Sequence, residues 1–158
     1  MDVIQWPEEL VPDSVKNADL KPIDTPLFRA TSPNLSRLLL RAPRVSQYHT
    51  RLGVKELFAP LYFSGDKQTA ENEYLHHFPE FPYALWKVEI KGLKCLDLAS
   101  RQHNFLSRDY YFPWQFFAAC VLGSKIEAIQ FQSYRGAGTN YAIFHLSEIA
   151  VKNVERIN

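Results

Sequence analysis

Three polar residues in separated segments of this sequence have the types that chemistry on a nucleotide requires. They are Arg29 in PLFRA (26–30), Glu73 in LYFSGDKQTAENEY (61–74) and Ser133 in IQFQSYRGAGTNYAIF (129–144). An arginine binds phosphate through a planar fork of donors and stays charged. A carboxylate beside a sugar stabilises the positive charge of an oxocarbenium-like state, and it can orient or deprotonate a nucleophile. A serine hydroxyl can position such a carboxylate or the sugar itself. Together the three suit an enzyme that holds a dinucleotide and cleaves its glycosidic bond. Ser133 is not read as a nucleophile, because no histidine is placed by a motif to activate it.

The elements that must present these residues follow from periodicity. Lys67 to Phe78 reads as a helix entered from the turn Ser64-Gly65-Asp66, with Ser64 or Asp66 as its cap. Ala70, Glu73, Tyr74 and His77 share one helical face, which the alanine and tyrosine turn inward. Glu71 lies about 100° from Ala70. Glu73 therefore sits on a packed face with no lysine or arginine at i±3 or i±4. A buried carboxylate is costly enough to imply a task or a remote partner. Leu27 to Ala30 and Ala59 to Ser64 read as strands, with Leu61 and Phe63 on one face and Tyr62 on the other. Leu85 to Ile90 and Lys94 to Leu98 read as two more. Pro113 to Leu122 is an apolar helix with proline in its first turn. Ile126 to Phe131 and Tyr141 to Leu146 are strands joined by the loop Gly136-Ala137-Gly138. Ser133 continues the face of Ile129 and Phe131, which brings its hydroxyl to the edge of the core.

Pro33 to Leu40 reads as the start of a helix, and Arg41 to Leu52 as a polar loop. Residues 1–25, with Pro7, Pro12 and Pro22, read as an extended arm containing one short helical turn and tied down by Trp6. Strands outnumber helices and do not alternate with them. The expected fold is one α+β domain, residues 26–158, with mixed, mainly antiparallel sheets and a few helices.

Composition bounds the function classes. A chain of 158 residues with 46% hydrophobic and 14% aromatic residues buries a core and is globular. A formal net charge of +1 gives no general attraction to nucleic acid or an anionic membrane. No apolar run reaches the roughly 20 residues of a membrane span. The opening MDVIQWPEELVPD lacks the basic and apolar regions of a secretory signal. Cys95 and Cys120 lie in apolar surroundings and read as buried thiols, so a reducing cytoplasm is expected. The glycines of 136–138 do not open a helix after a strand, as a dinucleotide fingerprint must, and read as a hairpin loop. His76 and His77 lack partners at metal-ligand spacing, so no metal is expected. Tyr110, Tyr111, Phe112, Trp114, Phe116 and Phe117 have no interleaved basic residues and read as core rather than as a base-stacking surface.

Over residues 26 to 150 the pattern resembles the RES-domain family, named for its arginine, glutamate and serine. Arg29 matches the family's first arginine and Arg51 its second. Tyr62 follows Arg51 by eleven residues, and Glu73 follows Tyr62 by eleven. Thr69-Ala70 resembles the small-residue lead into the glutamate helix. Cys95-Leu96-Asp97-Leu98 resembles a central strand of the family. Phe131-Gln132-Ser133-Tyr134-Arg135, followed by glycine and Asn140, resembles its closing motif. The chain departs from the family at Leu52-Gly53, where an aromatic and an asparagine are frequent, and at Gln132, where proline is common.

The resemblance implies an ADP-ribosyltransferase-like fold and a bacterial toxin that degrades NAD, its substrate, by cleaving the nicotinamide–ribose bond. It implies catalytic roles for Glu73, Ser133 and Arg29. Arg29, Arg51, Tyr62, Ser133, Arg135 and Asn140 would hold the dinucleotide. The acceptor stays open between water, phosphate and a protein side chain; the last would make the chain an ADP-ribosyltransferase. The other alternative is a catalytically inactive RES-like binding module. The resemblance also implies a cognate antitoxin with an Xre-type helix-turn-helix region. No such region is read in this chain, so the antitoxin would be a separate protein.

Overall fold

The computed structural model describes residues 13–17, 19–34, 40, 60–80, 82–99, 111–133 and 135–158. In chain order the elements are α1 (Asp13–Lys16), β1 (Lys21–Ile23), β2 (Pro26–Thr31), β3 (Leu61–Ser64), α2 (Lys67–His77), β4 (Ala84–Ile90), β5 (Leu93–Asp97), α3 (Tyr111–Leu122), β6 (Ala128–Gln132), β7 (Thr139–Ile143), a 3-10 turn (Glu148–Ala150) and β8 (Val151–Arg156). The strands form one sheet in the order β1-β5-β6-β7-β3-β2-β4-β8. Its pairs are antiparallel except β5 with β6. The class is α+β, as expected. Among the described residues no helix is long and apolar enough to cross a membrane.

This sheet cannot be flat. Only Lys91 and Gly92 join β4 to β5, yet the two strands stand five places apart in the sheet. Five steps of a flat sheet would separate them by about 24 Å. Two linking residues span on the order of 10 Å. The sheet must therefore roll until β4 and β5 meet at a corner. Gly92 turns that corner at φ 81°, a left-handed conformation that glycine adopts without steric cost. Lys91 N donates to Ala150 O and Gly92 N donates to Ile23 O, each at 2.9 Å, so both edges of the sheet are tied there.

The roll makes an inner and an outer face. Inside lie Leu27, Phe63, Val88, Ile90, Leu93 and Ile143, all from strands. Outside, Ile129, Phe131 and Ala142 pack with Ala118 and Val121 of α3 and with Val15 of α1. Strand alternation assigns the faces. Leu61 and Phe63 go in and Tyr62 packs out, as their spacing predicts.

Two strands were not expected, β1 and β8, and they are the two edges. Pro22 is tolerated in β1 because an edge strand can spare an amide. β8 is mostly exposed and carries Lys152, Glu155 and Arg156, charges that discourage further pairing. Neither strand has the alternation of a half-buried one. Residues 21–23 and Val15, part of the expected arm, are built into the sheet and the outer core. The interior strands match expectation with ends shifted by a few residues. Trp6, Arg51, the loop at 41–52 and most of the expected helix start at 33–40 lie outside the described residues.

α2 begins directly off β3. Asp66, rather than Ser64, caps it. Thr69 N donates to Asp66 Oδ1 and Thr69 Oγ1 donates to Oδ2, both at 2.8 Å. The β6–β7 loop passes against this cap so closely that a Cβ on Gly138 would overlap Thr69 Oγ1 and lie 2.6 Å from Asp66 Oδ2. Gly138→Ala should therefore cost about 1–3 kcal/mol. Gly136→Ala, whose Cβ would meet only Asn72 Nδ2 at 3.7 Å, should be close to neutral. Thermal unfolding of the two variants checks this, and equal midpoints would remove the packing argument.

Candidate active site

About two turns into α2, the side chain of Glu73 meets two donors from the β6–β7 hairpin. Ser133 Oγ donates to Glu73 Oε1 at 2.8 Å, and Asn140 Nδ2 donates to the same oxygen at 2.8 Å. Both partners are 7% exposed. An ionised carboxylate only accepts, so each neighbour must present a donor, and such charge-assisted bonds are strong. Among the described residues no hydrogen bond reaches Oε2. The carboxylate is pinned through Oε1.

The hairpin is shaped for this contact. Ser133 N donates to Gly138 O at 2.8 Å, which closes the loop, and Arg135 N donates to Ser133 Oγ at 3.1 Å. The Ser133 hydroxyl thus accepts from its own loop while giving its proton to Glu73. Asn140 is opposite Phe131 on one side and Ser64 on the other, so the three share a face. Ser64 Oγ donates to Asn140 Oδ1 at 2.8 Å. Ser64 is the residue that sequence reasoning missed here. Its i+2 spacing from Tyr62 gives its face but not its partner, which only the β3–β7 register supplies. Tyr62 itself is opposite Ala142 and packs on the outer core, on that same face.

On α2 the expected inward face is partly right. Ala70 is buried together with Thr69, and Glu73 and Tyr74 are half-buried. The Tyr74 ring packs with Phe78 and Tyr83 at centroid distances of 5.1 and 5.6 Å. His77, one turn beyond Glu73, is instead exposed because it ends the helix. Glu71 points elsewhere and accepts from Tyr83 Oη at 3.0 Å.

The cations divide. Phe28 is opposite Ser64, so Arg29 alternates onto the inner face of β2. There its guanidinium carbon lies 5.8 Å from the centroid of the Phe63 ring. Burial lowers the Arg29 pKa from 12.5 to about 10, which leaves it charged at neutral pH. Arg135 is exposed on the hairpin loop, and its charge acts on His77. Arg51 lies outside the described residues. Glu73, Ser133 and Asn140 are thus in direct contact, Arg135 borders them, and Arg29 leaves its strand on the other face. Burial, reinforced by Asp97, pushes the Cys95 thiol up to about 12, and burial raises Cys120, so both are protonated at neutral pH. No group of His, Cys, Asp and Glu able to hold a metal occurs among the described residues.

His77 supplies a pH test. Desolvation, then His76, pull its pKa below 6.5, Glu73 opposes this, and Arg135 adds to the lowering. A base with a depressed folded-state pKa binds a proton more readily when unfolded. Its contribution is present above 6.5 and is lost as the pH falls. His77→Gln should therefore gain stability relative to wild type between pH 7.5 and 5.5 in urea unfolding. A difference independent of pH would rule this coupling out.

Residues 26–157 match the RES domain. A chain in the crystal structure of the M. tuberculosis MbcT-MbcA toxin-antitoxin complex has the same fold, with a TM-score of 0.73. It is 12% identical, and the likeness covers 92% of this chain and 90% of that one. No curated protein matches the sequence. The family match runs from the strand that carries Arg29 through the last strand of the sheet and includes Glu73, Ser133 and Asn140; the chain belongs to the RES domain family.

Proposed function

We propose that the protein is an NAD-degrading enzyme that cleaves the nicotinamide–ribose bond and acts as the toxin of a bacterial toxin–antitoxin pair. The observation that carries this reading is the Glu73 carboxylate, fixed by Ser133 and Asn140 through Oε1. In this reading Oε2 faces the nicotinamide ribose and stabilises the positive charge that develops as the bond breaks. Nicotinamide is cationic in NAD and leaves neutral, so no strong general acid is needed and one carboxylate suffices. Ser133 and Asn140 hold the carboxylate, and Tyr62 packs against or hydrogen-bonds the nicotinamide riboside. Arg29, Arg51 and Arg135 serve the pyrophosphate, and water or phosphate takes the ribosyl carbon.

Purified Glu73→Gln should fold and lose nicotinamide release by orders of magnitude, because the amide keeps the size and removes the charge. Expressed in a bacterial host, the wild type should arrest growth and the variant should not. A folded Glu73→Gln protein with full NAD turnover would sink the assignment. Harmless expression of soluble, active wild type would remove the toxin role alone.

Arg29→Lys keeps the charge and loses the bidentate fork, so NAD should bind about tenfold more weakly. Calorimetry on the Glu73→Gln background measures this without turnover. Unchanged affinity would exclude Arg29 from the dinucleotide site.

An enzyme that drains NAD harms its host unless restrained. We infer a separate antitoxin with an Xre-type helix-turn-helix region that covers the site around Glu73 and Ser133. A carboxylate donated by that partner would meet the arginines that otherwise hold phosphate. The shared fold with a chain of a toxin-antitoxin complex supports this pairing.

A further inference from the structure

The described structure buries five polar side chains: Thr31, Ser64, Thr69, Ser133 and Asn140. Four have evident tasks. Thr31 accepts from the Trp86 indole, Thr69 closes the helix cap, and Ser133 and Asn140 hold Glu73. Ser64 touches none of these directly except Asn140, yet it is 4% exposed and its Oγ donates to Asn140 Oδ1 at 2.8 Å. An amide has a donor end and an acceptor end of nearly equal size. Packing alone does not choose between them. Turned over, Asn140 would set Oδ1 against Glu73 Oε1, two acceptors facing each other at a buried site.

Ser64 stands directly opposite Asn140 across the β3–β7 ladder and offers its proton to Oδ1. That bond keeps Nδ2 turned to the carboxylate. We propose that Ser64 is a positioning residue for Glu73 that acts through Asn140. In Ser64→Ala, Oδ1 is left buried without a donor, and Asn140 turns to find one. Glu73 then keeps only its bond from Ser133 and is free to rotate about it. The kinetic consequence rests on the reading of Glu73 as the carboxylate of NAD cleavage, whereas the geometric consequence does not.

The experiment is NMR of the Asn140 side-chain amide in the full chain, joined to NAD turnover. In wild type one Nδ2 proton is bound to a carboxylate, so the two protons should differ widely in shift and the bound one should exchange slowly. Ser64→Ala should collapse that difference. Ser64→Thr, which keeps the hydroxyl on a residue suited to a strand, should restore it. Turnover should follow, with kcat roughly tenfold lower in Ser64→Ala, KM for NAD little changed, and recovery in Ser64→Thr. An Asn140 amide unchanged in Ser64→Ala overturns the proposal, as does an active enzyme whose kcat ignores the substitution. If Ser64→Ala does not fold, Ser64→Cys, with a thiol of similar size and weak donor strength, takes its place under the same criteria. If wild type releases no nicotinamide, the functional reading fails and the amide spectrum alone decides the role of Ser64.

Discussion

A two-residue link sets the architecture. Because Lys91 and Gly92 alone connect strands five places apart, the sheet has to roll, and the roll supplies a core made mainly of strand residues. The helices are then not needed to bury that inner face. α3 covers the outer face instead, through Ala118 and Val121. α2 starts straight off β3 and is fixed at its first turn, where the Asp66 cap and Gly138 meet. Strand ladders and a helix start thus come together where β3 ends and β7 begins. Polar side chains can be buried at such a place because backbone and side-chain donors are both at hand.

That end of the sheet is where the carboxylate sits. Taking a charge out of water is costly unless donors replace the solvent. Ser133 and Asn140 replace it, from positions 60 and 67 residues away in the chain. Each must then satisfy its own remaining polar atom. The Ser133 oxygen takes the Arg135 amide, and the Asn140 oxygen takes the Ser64 hydroxyl. The requirement propagates outward from one oxygen of Glu73 and fixes residue types on three strands' ends, the loop and the helix. A polar network of this kind is stable only when every member is satisfied.

What could be read from the sequence follows the same division. Strands with one or two buried faces, such as Leu61–Ser64 and Ala84–Ile90, carry hydrophobic patterns that set their position and facing. β1 and β8 carry none, because an edge strand is paired on one side and wet on the other. The inward turn of Glu73 was legible from Ala70 and Tyr74 on its helix face. The facing of Ser133 was legible from Ile129 and Phe131. Ser64 was not legible, because a serine before a glycine and an aspartate also reads as a helix cap, and only the β3–β7 register shows what lies opposite it. The side of the sheet from which Arg29 projects depends in the same way on pairing that no local pattern encodes.

The chemistry of the site can be judged by which groups around Glu73 are able to give a proton. His77, exposed at the end of the helix, is lowered below its usual pKa by partial desolvation and by His76, which favours its neutral form. Tyr83 already gives its proton to Glu71. The Ser133 proton is committed to Glu73 itself. Among the described residues the neighbourhood therefore holds a fixed anion and no ready acid. Such a site is well suited to a leaving group that departs neutral from a cation, where the main demand is to stabilise charge on the sugar left behind. On the proposed reading, one carboxylate held through Oε1 suffices for cleavage of the nicotinamide–ribose bond.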